Sequence, residues 1–70
     1  MPEVLYLTNR EKEIVNLISL EFTNTEIAMY LNIVVGTVEV HRKNIFKKTG
    51  ARNMAGLMRW GFENGVLEVG

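Results

Sequence analysis

The stretch TNTEIAMYLNIVVGTVEVHRKNIFKKTG, residues 23–50, predicts two helices joined by a very short connection. The first of them opens on a capping box, in which Thr23 accepts from an early helical N–H group and Glu26 reaches back to the cap. Apolar residues then recur at helical spacing as far as Leu31. Asn32 tolerates the left-handed conformation that a sharp turn needs, so we expect this helix to stop there.

The second helix of this stretch is predicted from about Gly36 to Thr49, with Gly50 as its C-terminal stop. Only about four residues, 32–35, then connect the two helices. Two short helices with so tight a connection must cross at a steep angle, which predicts a helix-turn-helix. In this motif the second helix lies in the major groove of DNA, while the first braces it across the backbone.

Positive charge is concentrated on the same segment. The 70-residue chain is formally neutral, yet residues 36–52 carry five basic residues against Glu39 alone, a net charge of +4. The rest of the chain carries three basic and seven acidic residues, a net charge of −4. This asymmetry is typical of a domain that presents one face to an anion. Lys47 and Lys48 also lie in the last turn, where cations complement the helix dipole.

The two faces of the second helix differ in chemistry when its residues are placed 100° apart. The side expected to face the core carries Val38, Ile45 and Thr49, with His41 and Arg42 at its edges. The outward side carries two cations, an exposed apolar residue and two groups able to form hydrogen bonds. These residues are Gly36, Val40, Lys43 and Lys47, flanked by Glu39 and Asn44.

The outward side chains each have a use in the major groove. Lysine donates to guanine or to phosphate, an apolar side chain contacts the thymine methyl group, asparagine pairs with adenine, and glutamate accepts from cytosine N4. Thr37, at the front of the helix, can offer its hydroxyl or its backbone N–H to a phosphate. The candidate DNA-binding residues are therefore Thr37, Glu39, Val40, Lys43, Asn44 and Lys47.

Two further helices flank this pair. Thr8 and Glu11 form another capping box, which opens the first helix of the chain. The last helix starts near Asn53, a good N-cap residue, and ends at residues 64–65. The prediction is an all-α fold, a compact four-helix domain with a central helix-turn-helix. In the last helix, Met54, Leu57 and Met58 are expected in the core, and the candidate dimer surface is formed by Ala55, Gly56 and Trp60.

Composition excludes several classes of protein. At 47% hydrophobic and 23% charged residues, a chain of this length is a single small globular domain. It has no cysteine, which excludes disulfides and thiolate metal sites. His41 is the only histidine and lacks a partner for metal binding or catalysis, so we expect no enzyme, no metal and no cofactor.

Neither a membrane-spanning run nor a secretory signal is found in the sequence, so we expect a cytoplasmic protein without membrane contact. The chain has no room for a sensor or catalytic domain beside the helical one. The sequence therefore also fits a piece of a longer protein, from which an upstream receiver or sensor domain has been removed.

Several short motifs occur together in this chain. They are LTNRE at residues 7–11, NTEIA at 24–28, LNI at 31–33, TV at 37–38, HRKNI at 41–45, Lys48, Gly50 and RN at 52–53. With them the chain resembles the LuxR-type (NarL-like) helix-turn-helix over residues 5–65. This is the output domain of many bacterial response regulators and quorum-sensing regulators, and the segment that starts at residue 41 is closest to response-regulator versions.

The resemblance implies a transcriptional regulator domain that binds double-stranded DNA as a homodimer, with the fourth helix in the dimer contact. It also implies control by an attached receiver or ligand-binding domain, most simply in a two-component system. The family's base-contacting positions correspond to Glu39, Val40 and Lys43 of this chain. Its phosphate-contacting positions correspond to Thr37, Asn44 and Lys47.

This chain departs from the family at the front of the reading helix. Val34 stands where a Ser or Thr cap is usual, Gly36 where a polar residue is usual, and Glu39 where Lys is frequent. These residues make the N-terminus of the helix less well capped and less positive. We expect affinity or sequence choice to differ from those of a typical member.

Other interpretations remain open. Lys43 could belong to a solvated face, with Glu39 as its i,i+4 ion-pair partner, and Trp60 could simply cover the core. Gly36, Glu39 and the zero net charge favour a protein-interaction module that keeps the fold and has weak or no DNA binding. A sigma-factor-like promoter-reading domain shares the helix-turn-helix but usually lacks the HRKNI motif.

Overall fold

The computed structural model describes residues 7–68, which form four α-helices and no strand. The helices are α1 (Asn9–Ser19), α2 (Asn24–Leu31), α3 (Val35–Thr49) and α4 (Met54–Glu63). The predicted all-α, four-helix architecture is confirmed. The predicted start of the domain, residue 5, lies outside the described residues.

Local side-chain hydrogen bonds determine where three of the helices begin. Thr8 Oγ1 accepts from the Glu11 N–H at 3.1 Å, and Glu11 Oε1 accepts from the Thr8 N–H at 2.9 Å. Thr23 and Glu26 cap α2 in the same reciprocal way, at 3.1 and 2.8 Å. The Asn53 side chain accepts from a first-turn N–H of α4 at 2.8 Å. Both predicted capping boxes and the predicted start of α4 are confirmed.

The turn of the helix-turn-helix is one residue shorter than the sequence predicts. It comprises residues 32–34, because α3 begins at Val35 rather than at Gly36. The carbonyl of Val34 already accepts the first hydrogen bonds of the helix. Asn32 has φ 58° and ψ 48°, which is the left-handed conformation predicted for it. The chain changes direction at this residue, so α3 does not continue along the axis of α2.

One hydrophobic core holds the four helices together, and α3 lies against each of the other three. The largest fully buried side chains come from all four helices: Ile14, Val15, Ile27, Val38, Ile45 and Leu57. The predicted core side of α3 is therefore confirmed at Val38 and Ile45. The prediction that Met54 belongs to the core is wrong, because its side chain is 38% exposed. Met54 is the first residue of α4, and the helix reaches the core only one turn later, at Leu57.

Gly61 lets residues 66 and 67 fold back onto α4. A Cβ atom at this position would lie 2.7 Å from Cδ1 and 2.9 Å from Cγ of Leu67. The Gly61 carbonyl accepts from the N–H groups of Val66 and Leu67, at 2.9 and 3.0 Å. Leu67 is thereby buried against the helix and closes the core at this end.

We expect Gly61→Ala to destabilise the domain by about 1 kcal/mol, because the overpacking against Leu67 outweighs the gain in helix propensity. Gly36→Ala is the matched control, since a Cβ there meets no atom within 4 Å. That control should stabilise the domain by a few tenths of a kcal/mol. Urea denaturation followed by circular dichroism compares the two. If Gly61→Ala is as stable as Gly36→Ala, the close approach of Leu67 has no energetic importance.

Candidate nucleic-acid interface

The outer face of α3 brings the six predicted DNA-binding residues together. All of them are solvent-exposed: Thr37, Glu39, Val40, Lys43, Asn44 and Lys47. They cover about three turns of the helix. On the opposite side, Val38 and Ile45 are completely buried, and this packing fixes which face points outward. The two-faced helix predicted from the sequence is confirmed, and the arrangement offers cationic, apolar and hydrogen-bonding groups on one convex ridge.

The polar side chains of this ridge have no partners of their own. Within residues 7–68, Glu39, Lys43, Asn44 and Lys47 make no side-chain hydrogen bond and no ion pair. The alternative of an i,i+4 ion pair between Glu39 and Lys43 is therefore not realised in this structure. These groups remain available to an external ligand.

The front of α3 is uncapped, as its departures from the family pattern predict. Val34 occupies the N-cap position, is exposed, and provides no side-chain hydrogen bond. The N–H groups of Val35 and Gly36 find no acceptor in the part of the chain that the structure describes. Unpaired N–H groups at a helix N-terminus carry partial positive charge and attract anions. Thr37, the first of the six ridge residues along α3, follows them directly in sequence.

Lys48 ties the other end of α3 to α1. Its Nζ lies 2.8 Å from Oε1 of Glu11, whose side chain is only 4% exposed, while that of Lys48 is 34% exposed. The same Glu11 oxygen accepts from the Thr8 N–H in the capping box. One carboxylate thus joins the start of α1 to the last turn of α3 and helps to set the direction in which α3 points.

Sequence reasoning missed this contact. It assigned Glu11 to the cap alone and Lys48 to the helix dipole, and a sequence separation of 37 positions leaves no local pattern that pairs them. One signal was present: Glu11 precedes Ile14 and Val15 by three and four residues, so helical periodicity places it on the buried face of α1. A carboxylate on such a face needs a partner.

The environment of Glu11 lowers the pKa of its carboxyl group. Burial acts to raise this pKa, but hydrogen bonds from Lys48 and from the Thr8 backbone, together with the positive charge of Lys48, outweigh burial. The pKa therefore lies below its ordinary value of 4.5. Because the folded-state pKa is depressed, the ionised carboxylate stabilises the folded state.

This shift predicts how stability responds to acid. The stabilisation from Glu11 should be fully present above about pH 4.5 and be lost as the pH falls through the lower folded-state pKa. We expect the difference in unfolding free energy between the wild type and Glu11→Gln to shrink as the pH is lowered from about 7 to about 3. Urea denaturation at a series of pH values measures it. A difference that stays constant or grows on acidification would contradict the assignment.

The residues proposed from the sequence as a dimer surface on α4 differ in their exposure. Ala55 is exposed, but Gly56 and Trp60 are half-buried, and Trp60 packs against the core. Phe62, which sequence reasoning did not single out, is exposed. Its spacing of seven residues from Ala55 puts both on one face of the helix, and this spacing was readable from the sequence.

Among residues 7–68 no cavity is present, and no three His or acidic side chains lie close enough to hold a metal ion. Every helix of this part of the chain is too short or too polar to cross a lipid bilayer.

Comparison with known proteins assigns the fold to a family. Residues 5–60 match the family described as bacterial regulatory proteins, luxR family. The chain belongs to the LuxR family. The resemblance inferred from its short motifs is thereby confirmed. No solved structure matches the chain at a significant level.

Several curated proteins are similar to this LuxR-family chain. The transcriptional regulatory protein MctR of Rhizobium johnstonii is 44% identical over 61 residues, which cover 87% of this chain and 28% of that protein. The tetrathionate response regulatory protein TtrR of Salmonella typhimurium is 45% identical over 53 residues, 76% of this chain and 26% of its own length. The uncharacterized response regulatory protein YgeK of Escherichia coli is 43% identical over 63 residues, 90% of this chain and 43% of its own. The chain spans less than half the length of each of these relatives.

Proposed function

We propose that this domain binds double-stranded DNA in a sequence-specific manner, as the output domain of a bacterial transcriptional regulator, with α3 in the major groove. The observation that carries the proposal is the outer ridge of α3, whose unpartnered polar side chains are held outward by the burial of Val38 and Ile45. Membership of the LuxR family supports it. The names of the similar regulatory proteins support a regulatory role.

Within this proposal, the ridge divides by position. Val40 and Lys43 lie in the middle of α3, with Glu39 beside them, and these side chains contact base edges. Thr37 lies next to the unpaired N–H groups at the front of the helix, where a phosphate is attracted. Lys47, with Asn44, contacts phosphates towards the other end. Phosphate contacts position the helix, and base contacts select the sequence.

We also propose the kind of protein to which this domain belongs. We place this domain, with the limits 5–65, in a cytoplasmic response regulator of a two-component system whose receiver domain controls it. Two relatives are named as response regulatory proteins, which supports this context. Homodimerisation would use α4, where exposed Ala55 and Phe62 share a face and Gly56 and Trp60 lie half-buried beside it.

A protein-interaction module with weak or no DNA binding is the second candidate. Exposed apolar side chains favour it: Met29 is 77% exposed, and the following residue Tyr30 and, in the turn, Val34 are exposed as well. Their exposure on α2 and in the turn would suit a protein partner. The two candidates differ in their response to salt, because only phosphate binding releases condensed counterions.

Selection from a random duplex DNA library at low salt tests the proposal. We expect enrichment of a repeated half-site, and binding to it whose association constant falls steeply as salt is raised, since cationic side chains displace counterions from phosphates. Fluorescence anisotropy on the enriched duplex measures the salt dependence. If no sequence is enriched and no duplex is retained in a salt-sensitive way, DNA binding is wrong and the interaction module takes its place.

A further inference from the structure

We infer that Glu39 selects a cytosine in the DNA half-site and weakens binding to any duplex that does not offer one. The inference rests on the proposed function, because Glu39 meets DNA only if α3 lies in the groove.

Glu39 has no structural task that the described residues reveal. Its side chain is exposed on the outer face of α3 and makes no hydrogen bond or ion pair within residues 7–68. Lys43, one turn further along the same face, is equally unpaired. A carboxylate that stabilised α3 would be paired or would lie in the first turn near the dipole, and acidic residues are absent from that turn. Replacing Glu39 should therefore leave the fold intact.

The chemistry of a carboxylate determines what it can accept from DNA. An ionised carboxylate is an acceptor only, so in the groove it loses water and faces the negative potential of the phosphates. Only a hydrogen-bond donor on a base edge can offset the free energy that this loss of water costs. On the major-groove edges, guanine presents N7 and O6 as acceptors and thymine presents the O4 acceptor, whereas cytosine N4 and adenine N6 donate. In adenine the N7 acceptor lies next to the N6 donor, so it would repel the second carboxylate oxygen. Cytosine has no acceptor next to its N4 donor on this edge, so it suits a carboxylate better.

Lys43 adds a second base to the half-site that we expect. Four residues of α-helix rise about 6 Å, which corresponds to roughly two base-pair steps where the helix axis follows the groove. Lysine prefers the O6 and N7 acceptors of guanine. A cytosine that faces Glu39 should therefore lie within about two steps of a guanine that faces Lys43.

Library selection with wild type, Glu39→Gln and Glu13→Gln tests the inference. Glu13 is exposed on α1, so its variant removes the same charge away from the ridge. We expect the wild type and Glu13→Gln to enrich a half-site with one constant cytosine and to lose about tenfold in affinity when its C·G pair becomes T·A. In Glu39→Gln this loss should fall below about twofold, while affinity for unselected duplex rises several-fold. Circular dichroism melting confirms that all three proteins are folded.

Three outcomes would overturn the inference. The C·G to T·A change could cost Glu39→Gln as much as it costs the wild type, or Glu39→Gln could bind unselected duplex no better. Either result, with sequence-specific binding by the wild type, leaves the proposed function standing and removes the role of Glu39. If the wild type retains no duplex at all, the proposed function and this inference both fail.

Discussion

Glu11→Ala will destabilise the domain by about 3 kcal/mol. The change removes the capping contact to the Thr8 N–H and the ion pair with Lys48, at 2.9 and 2.8 Å. Loss of a cap costs about 1 kcal/mol, and breaking a buried ion pair costs more. A domain of this size has a total stability of only about 5 kcal/mol, so only about 2 kcal/mol should remain and a few per cent of the molecules should be unfolded without denaturant.

Two further variants separate the parts of this effect. Glu11→Gln keeps an acceptor for the Thr8 N–H and removes the charge, so it should cost about 1–2 kcal/mol. Glu13→Ala breaks only the exposed pair with Arg10, at 3.4 Å, and should change stability by less than about 0.5 kcal/mol. Urea denaturation followed by circular dichroism ranks the three. Equal stability of Glu11→Ala and Glu13→Ala would show that the contact between α1 and α3 contributes nothing.

Lys43→Ala should lower affinity for the enriched duplex at least about tenfold, and relax the preference for guanine at one position of the half-site. Lys43 is exposed in the middle of the ridge and has no partner in the described part of the chain. Its removal therefore leaves the fold unchanged and deletes a donor that, in the proposal, meets a base edge. Fluorescence anisotropy at constant salt, on the selected duplex and on a variant of it, measures both effects.

Lys12→Ala is the charge-matched control for this prediction, because Lys12 lies on α1 and not on the ridge. We expect it to change affinity by less than about twofold. Lys47→Ala should weaken binding to selected and unselected duplexes alike and reduce the dependence on salt, as removal of a phosphate contact does. If Lys12→Ala and Lys43→Ala weaken binding equally, net charge and not the α3 ridge carries the affinity.

The outer ridge of α3 carries the proposed contacts with DNA, while its last turn is held to α1 by the Lys48–Glu11 ion pair. Glu11→Gln leaves every ridge side chain in place. Any loss of DNA affinity in this variant, at a temperature where it is folded, would measure how far the anchoring of α3 contributes to binding.

The local features of this protein were decided by the sequence alone. The capping boxes at Thr8 and Thr23 and the left-handed residue Asn32 depend on groups only a few positions apart, so short motifs predict them. The division of α3 into a buried and an exposed side follows from helical periodicity, once a core exists to receive Val38 and Ile45. Even the uncapped front of α3 was evident from Val34.

Contacts between distant parts of the chain follow only from the way in which the helices pack. Glu11 and Lys48 meet because α1 and α3 pack together, and no local pattern encodes a pair separated by 37 residues. Met54 carries the apolar pattern of α4 but lies outside the core, because burial depends on where neighbouring helices end and not on periodicity alone. Glycine is a weak helix former, so the sequence alone does not explain Gly61 within α4. The explanation is the close approach of Leu67, which leaves no room for a Cβ atom at this position. Local hydrogen bonding and periodicity determined the elements, and close packing between them determined which side chains are buried, paired or left open.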